Sequence, residues 1–509
     1  MSQLKAGAVL NYVVILLNIG VGLLYTPYML RMMGPNEYGL YSLVASVISY
    51  LTILDLGLGN AVVRYTAQFR TEGKRQEQYE MFGMFLIIYA CIGFLALVVG
   101  GMLFHSFEDW FGHSMTVDEL ERARLMILFL IFNVAFTFPM SIFGSIILAY
   151  EHFVFPKVLQ IVRILLNLVV MILLLEWGFR AVAMVVVQTV FNLLTLVIHF
   201  FYCKYKLGIR LHFRRFRWGL LKEVSVYSFW IFLSVIMDRI YWNTGQFVLG
   251  IYGGTAAIAV FAVAIQLSVL YMSFSTSISG VFLPKVTAMV AKRSDQKAIS
   301  DLFIRTGRIQ YMVMAFILSG FVAFGRPFIR LWAGADYEDA YGMSVLFFVS
   351  LTIPMIQNLG ITILQARNRM KFRSLLYLVV ALVSLYFQFV LAKSYGGLGC
   401  AIAISVALLV GQGVIMNVYY HRRQGLDLVL FWKEIGRMSV IPFLLGVSAW
   451  WLMRDIVWNR WYQLGLAIAM YALIYLPLFF RFAMNQSERN LFLAPFRKIR
   501  SLAYDRCKG

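Results

Sequence analysis

Long apolar runs recur along the chain, separated by short polar connections. A helix that crosses the ~30 Å hydrocarbon layer needs ~20 mostly apolar residues. Fourteen runs fit, near residues 6–30, 38–62, 81–104, 125–150, 158–175, 181–202, 224–249, 255–283, 309–324, 343–366, 375–392, 398–420, 438–453 and 461–480. The first run exceeds a signal-peptide core and no A-x-A site follows it, so it reads as an uncleaved first span. The connections are too short to fold as a soluble catalytic domain. The pattern predicts an all-α polytopic membrane protein of about 14 transmembrane helices.

Composition agrees: 61% of residues are hydrophobic and 14% charged, and the mean hydropathy of +0.77 excludes both a soluble enzyme and a disordered chain. The net charge of +21 would suggest nucleic acid if it lay on a soluble face, but its placement is topological. With alternate connections assigned to alternate sides, 34 of the 45 Lys and Arg fall on the side of the N-terminus, 9 on the other, and Arg163 and Arg239 inside spans. Because membrane insertion retains cations in cytoplasmic loops, both termini are expected in the cytoplasm. The basic loop 203–223, with Arg214, Arg215 and Arg217, and the tail 483–509 are expected against anionic headgroups. Cys91, Cys203, Cys400 and Cys507 form no CxxC pair and the histidines no metal spacing, so no disulfide framework, metal or cofactor is expected.

The chain also carries a weak repeat. Gly34-Pro35-Asn36-Glu37-Tyr38-Gly39 opens span two and Gly254-Thr255-Ala256-Ala257-Ile258-Ala259 opens span eight, 220 residues later. Pro139, Gly144, Ile147 and Phe155 recur as Pro354, Gly360, Ile363 and Phe372 at offsets of 215 to 217. Two parallel six-helix bundles, 1–202 and 224–420, are expected around a central cleft, joined by the loop 203–223. Two additional helices, 421–482, precede the tail. Parallel duplicated bundles suggest alternating access.

Ionisable groups inside a span normally face a cavity or a partner. In span seven Arg239 lies ~22 Å along the axis from residue 224, too deep to snorkel to that side, and shares a stripe with Asn243 and Gln246. Arg239 could grip a phosphate or acidic sugar in a bidentate fork; the alternative is an interhelical ion pair that fixes packing. Asp238, on the neighbouring face, is a candidate for ion coupling. Asn11, Asn18 and Tyr25 share one face of span one, and Asn18 corresponds to Asp238 at the 220 offset. Further candidates are Asn133, Thr137 and Ser141 on span four, Gln266, Ser273 and Ser277 on span eight, and Gln357, Asn358 and Gln365 on span ten. In span two, Asp55-Leu56-Gly57-Leu58-Gly59-Asn60 precedes Arg64. Asp55 is a second coupling candidate, and Arg64 either guides anionic substrate or anchors the topology. A continuous helix would put those two on opposite faces; the glycines could break it.

Several stretches together resemble the polysaccharide-exporter and oligosaccharide-flippase family, the Wzx-like branch of the superfamily that also holds MATE drug exporters and lipid II flippases. They are Leu30 to Tyr41, Asp55 to Gly59 with Val63-Arg64-Tyr65, Trp242 to Gln246, Val281 to Lys285, and Ile356 to Ile361 with Ile363 to Ala366. The resemblance implies a flippase, not an enzyme with catalytic residues. Its substrate would be an undecaprenyl-diphosphate-linked oligosaccharide, carried from the inner to the outer leaflet toward the machinery that assembles capsule, O-antigen or exopolysaccharide. It also implies drive by an ion gradient or the membrane potential, and no GxxxxGK[ST] sequence is present for direct ATP use. The rivals are a MATE-like cation-coupled drug exporter, which needs a net acidic cavity, and a membrane glycosyltransferase or polymerase, for which 105–124 is the sole acidic candidate segment.

Overall fold

A computed structural model describes residues 3–213, 216, 218–291, 295–367, 369–454, 456, 458, 460–490 and 493. The expected basic cluster Arg214, Arg215 and Arg217 and most of the tail lie outside them. Fifteen α-helices order the described residues: α1 Gln3–Ser49, α2 Leu58–Thr71, α3 Arg75–Phe111, α4 Val117–Ala149, α5 Val154–Glu176, α6 Ala181–Phe201, α7 Trp218–Tyr252, α8 Gly254–Ala291, α9 Gln296–Trp332, α10 Ala340–Ile356, α11 Asn358–Ala366, α12 Lys371–Leu408, α13 Met416–Gln424, α14 Leu428–Met453 and α15 Trp461–Phe482. The protein is all-α and multi-pass. Eleven helical stretches among the described residues are long and apolar enough to span a membrane, and two of them, Val9–Thr71 with 63 residues and Lys371–Gln424 with 54, would each run beyond ~80 Å at ~1.5 Å per residue. Each is therefore long enough for two crossings, which is compatible with fourteen spans.

Both long stretches bend at a glycine. α1 leaves helical geometry at Gly34 (φ 75°) and α12 at Gly396 (φ 53°), where a side chain would strain the backbone. Gly254, between α7 and α8, has the same φ of 75° as Gly34, so the first pair of repeat anchors shares a backbone conformation. These anchors also touch: a Cβ on Gly39 would lie 1.8 Å from the Thr255 carbonyl oxygen, so only glycine permits the approach.

The chain folds as two compact units, Met1–Gln266 with Lys371–Ile404 and Leu267–Met370 with Ser405–Gly509. In unit 1, α2, α3 and α4 enclose a core built on Phe82, Phe85, Tyr89, Ile142 and Ile146. The connections after spans one, three, five and seven meet at one end. There buried Glu37 pairs with Arg122 and accepts from the Ala181 backbone N–H at 3.3 Å, while Thr255 donates to Glu119 at 2.9 Å. Thr116 and Glu119 cap α4 reciprocally, closing a helix start that would otherwise leave its N–H groups unmet. In unit 2, α9 packs on α10, α14 and α15 around Phe303, Phe347, Phe431 and Tyr475, all fully buried. Large apolar side chains stand on the outside of both units, including Leu24, Phe94 and Phe443, as a lipid-facing surface demands.

Three spans differ in extent from the sequence expectation. Span two is not one helix: it passes through a tight 3-10 turn at Tyr50–Asp55, then Leu56 and Gly57 in left-handed conformation (φ 53° and 69°). The apolar runs of spans nine and thirteen start after Arg308 and Arg437, whereas α9 and α14 begin well before them. Both cations meet Glu434 of α14, Arg308 at 2.5 Å and Arg437 at 3.5 Å, so this carboxylate offsets charge that interrupts the apolar runs.

Candidate functional site

The polar stripe of α7 is the strongest sequence candidate and lies within unit 1. Arg239, Asn243 and Gln246 are half-buried. The Arg239 Nε is shielded from solvent and has no hydrogen-bond partner among the described residues. Its electrostatic neighbours are Tyr50 and Asp238. The Tyr50 hydroxyl bonds the Thr244 hydroxyl at 2.6 Å, tying the 3-10 turn of span two to α7 one helical turn from Arg239. Gly245, next to Thr244, admits the Phe261 ring: a Cβ there would lie 2.5 Å from it. Asp238 is exposed at the protein surface and feels Arg373 of α12 more strongly than Arg239. Arg373 in turn stacks on Tyr377 with its guanidinium 4.3 Å from the ring centroid, a cation-π contact. Adjacent residues on a helix diverge by ~100°, which is why Asp238 looks to another helix while Arg239 faces Tyr50.

Asp55 ends the 3-10 turn, half-buried. Its carboxylate lies close to the Tyr89 hydroxyl and the Gly57 backbone N–H, and that hydroxyl is shielded without a well-aligned hydrogen bond among the described residues. Arg64 stands exposed on α2, its guanidinium 5.6 Å from the Tyr65 ring centroid.

On α1, Asn18 is exposed and Asn11 half-buried. Of the three residues on that face, Tyr25 alone lines a largely apolar groove of about 640 Å³ between α1 and α5, together with Tyr28, Leu24, Leu165 and Ile172. Tyr28 donates to Glu176 at 2.6 Å at its end. The span-four amides have another role: Asn192 of α6 donates to Asn133 at 2.7 Å and Thr137 at 2.8 Å and accepts from Arg163 at 3.3 Å. That network binds α4, α5 and α6 together.

In unit 2, Gln357 is buried at the break between α10 and α11 and donates to Asn417 at 2.8 Å. Asn417 accepts a second bond from the Trp432 indole at 2.8 Å. Asn358 donates to Ser279 at 3.2 Å. The amides of Gln357 and Asn358 are therefore engaged within the fold, while Arg239 retains an unused donor. The reading of the sequence missed Tyr50, Thr244, Arg373 and Tyr377. Arg373 was counted only as a loop cation, although its spacing of four from Tyr377 puts both on one helical face.

Comparison with known proteins places this geometry. Residues 4–290 match the polysaccharide biosynthesis protein family. Bacillus subtilis (strain 168) has a relative 22% identical over 96% of this chain and 97% of its own length, named "Uncharacterized membrane protein EpsK". A Shigella flexneri relative named "Putative O-antigen transporter" is 18% identical over 77% of this chain and 92% of its own. The fold is similar to that of the lipid II flippase MurJ in an inward closed conformation, with a TM-score of 0.70 and 15% identity over 93% of this chain and 98% of that one. An inward-facing multidrug resistance MATE family transporter of the MOP superfamily gives 0.65 and 14% over 81% and 94%. The likeness to these structures is one of fold, and with more than half of its length matched, the chain belongs to the polysaccharide biosynthesis protein family.

Proposed function

We propose that the protein is a flippase that moves an undecaprenyl-diphosphate-linked oligosaccharide from the inner to the outer leaflet of the bacterial cytoplasmic membrane by alternating access, feeding capsule, O-antigen or exopolysaccharide assembly. Sugars and a diphosphate do not cross hydrocarbon unaided. A guanidinium within a span, holding back a donor from the rest of the fold, suits the anionic end of such a headgroup. The half-buried Arg239 with its unpartnered Nε is the observation that carries this reading. Asn243 and Gln246 offer amides to sugar hydroxyls along the same helix. In this reading both termini are cytoplasmic, the drive is an ion gradient or the membrane potential, and Asp238 and Asp55 couple to it.

The test is complementation of a strain lacking a known flippase, with surface glycan and drug resistance measured together. Wild type is expected to restore glycan, and Arg239→Ala is expected to accumulate in the membrane without restoring it. Full restoration by R239A removes Arg239 from the site, and resistance without glycan would favour the MATE-like alternative.

A further inference from the structure

A second cationic feature lies within unit 2. Among the connections opposite the N-terminal side, cations are scarce, yet Arg326, Arg330 and Arg454 line one cavity of about 560 Å³ with Glu338, Tyr341, Trp450 and Trp458. Arg326 and Arg330 are four apart on α9 and so share a face. Glu338 lies between them, 3.3 Å from the Arg326 Nε and 3.4 Å from that of Arg330. The carboxylate is the recessed partner, its side chain 22% exposed against 72% and 52% for the two guanidiniums. One carboxylate is shared by the two α9 guanidiniums, leaving an excess of positive charge on that face. The Tyr341 hydroxyl donates to the Val322 carbonyl at 2.7 Å, fixing that wall beside Pro327. The Trp458 indole N–H is shielded and has no acceptor among the described residues.

We propose that this pocket binds a phosphate-bearing lipid headgroup at the membrane surface. Guanidinium groups match phosphate oxygens in a fork, Trp and Tyr rings sit at headgroup depth, and the unused indole donor adds a direction for a phosphate or hydroxyl oxygen. The cavity exceeds what one phosphate ion fills, which favours a headgroup over a free anion. This binding does not rest on the transport reading.

The experiment uses the full chain in detergent, observed by native mass spectrometry during titration with dioleoylphosphatidylglycerol, dioleoylphosphatidylcholine or inorganic phosphate. Wild type is expected to retain phosphatidylglycerol in preference to phosphatidylcholine. Arg326→Gln with Arg330→Gln is expected to weaken that retention about tenfold, the scale of one lost charge-assisted contact. Glu338→Gln is expected to strengthen it, because the neutral amide releases both guanidiniums. Loss of folding cannot produce that gain, so E338Q retaining the lipid no better than wild type overturns the proposal even if the double variant unfolds. Equal retention by wild type and a folded double variant overturns the site, and inorganic phosphate bound as tightly as the lipid overturns the headgroup assignment. Failure of the export assay at Arg239 would leave all these outcomes unchanged.

Discussion

Two arginines in long apolar helices have opposite surroundings. Arg308 of α9 is buried and bonded at every nitrogen: Nε and Nη2 donate to Glu488 at 2.5 and 2.8 Å, Nη1 to Glu434 at 2.5 Å, and Nη2 also to the Ala483 carbonyl at 3.3 Å. Arg239 of α7 is half-buried, has a tyrosine and an exposed aspartate for electrostatic neighbours, and leaves its Nε unbonded. The first guanidinium is a rivet that pins the segment after α15 and the start of α14 onto α9. The second is held in place and left chemically open. A charge costs free energy wherever it leaves water, so the bonds of Arg308 serve the fold, while in the proposed function the open Nε of Arg239 is left for substrate.

Exchanging the two outcomes would break the comparison. Arg239→Ala is expected to reduce glycan export by tenfold or more, on the order of one charge-assisted contact, with thermal unfolding in detergent nearly unchanged; a large drop in Tm with normal export per folded molecule would reverse the roles. Arg308→Ala strands two carboxylates against α9, and its expected cost of ~3–5 kcal/mol should appear as a lower unfolding midpoint. Gln357→Ala sharpens the contrast: with Asn417 left short of a donor, a loss of ~1–3 kcal/mol is expected. Export should follow the remaining folded protein, and a selective export defect would return Gln357 to the substrate path. The smallest effect belongs to Tyr50→Phe, which deletes the bond to Thr244 and is expected to cost ~0.5–1.5 kcal/mol. A further change in export would place Tyr50 beside Arg239 in the transport step.

Much of this architecture was legible in the residues. Apolar runs of bilayer length located the helices because backbone groups in lipid must bond within their own segment. The anchors at Gly34 and Gly254 marked real turns, since a positive φ requires a residue without Cβ. The run Asp55 to Gly59 admitted a break without disclosing its form. A sequence shows Arg308, Arg437 and Glu434 only as charges, so it does not tell how far the helices of spans nine and thirteen continue until their partners are known. Nor does it tell that the amides of Gln357 and Asn358 are engaged by Asn417 and Ser279.

The amino-acid order alone determined that this chain lives in lipid, where its helices run and which few polar groups they carry inward, because hydrophobic length and helical period are local properties. Tertiary structure decided which of those polar groups are used up. Hydrogen-bond satisfaction depends on residues far along the chain, as Glu488 is 180 positions from Arg308 and Thr244 is 194 from Tyr50, and no local pattern encodes which partner arrives.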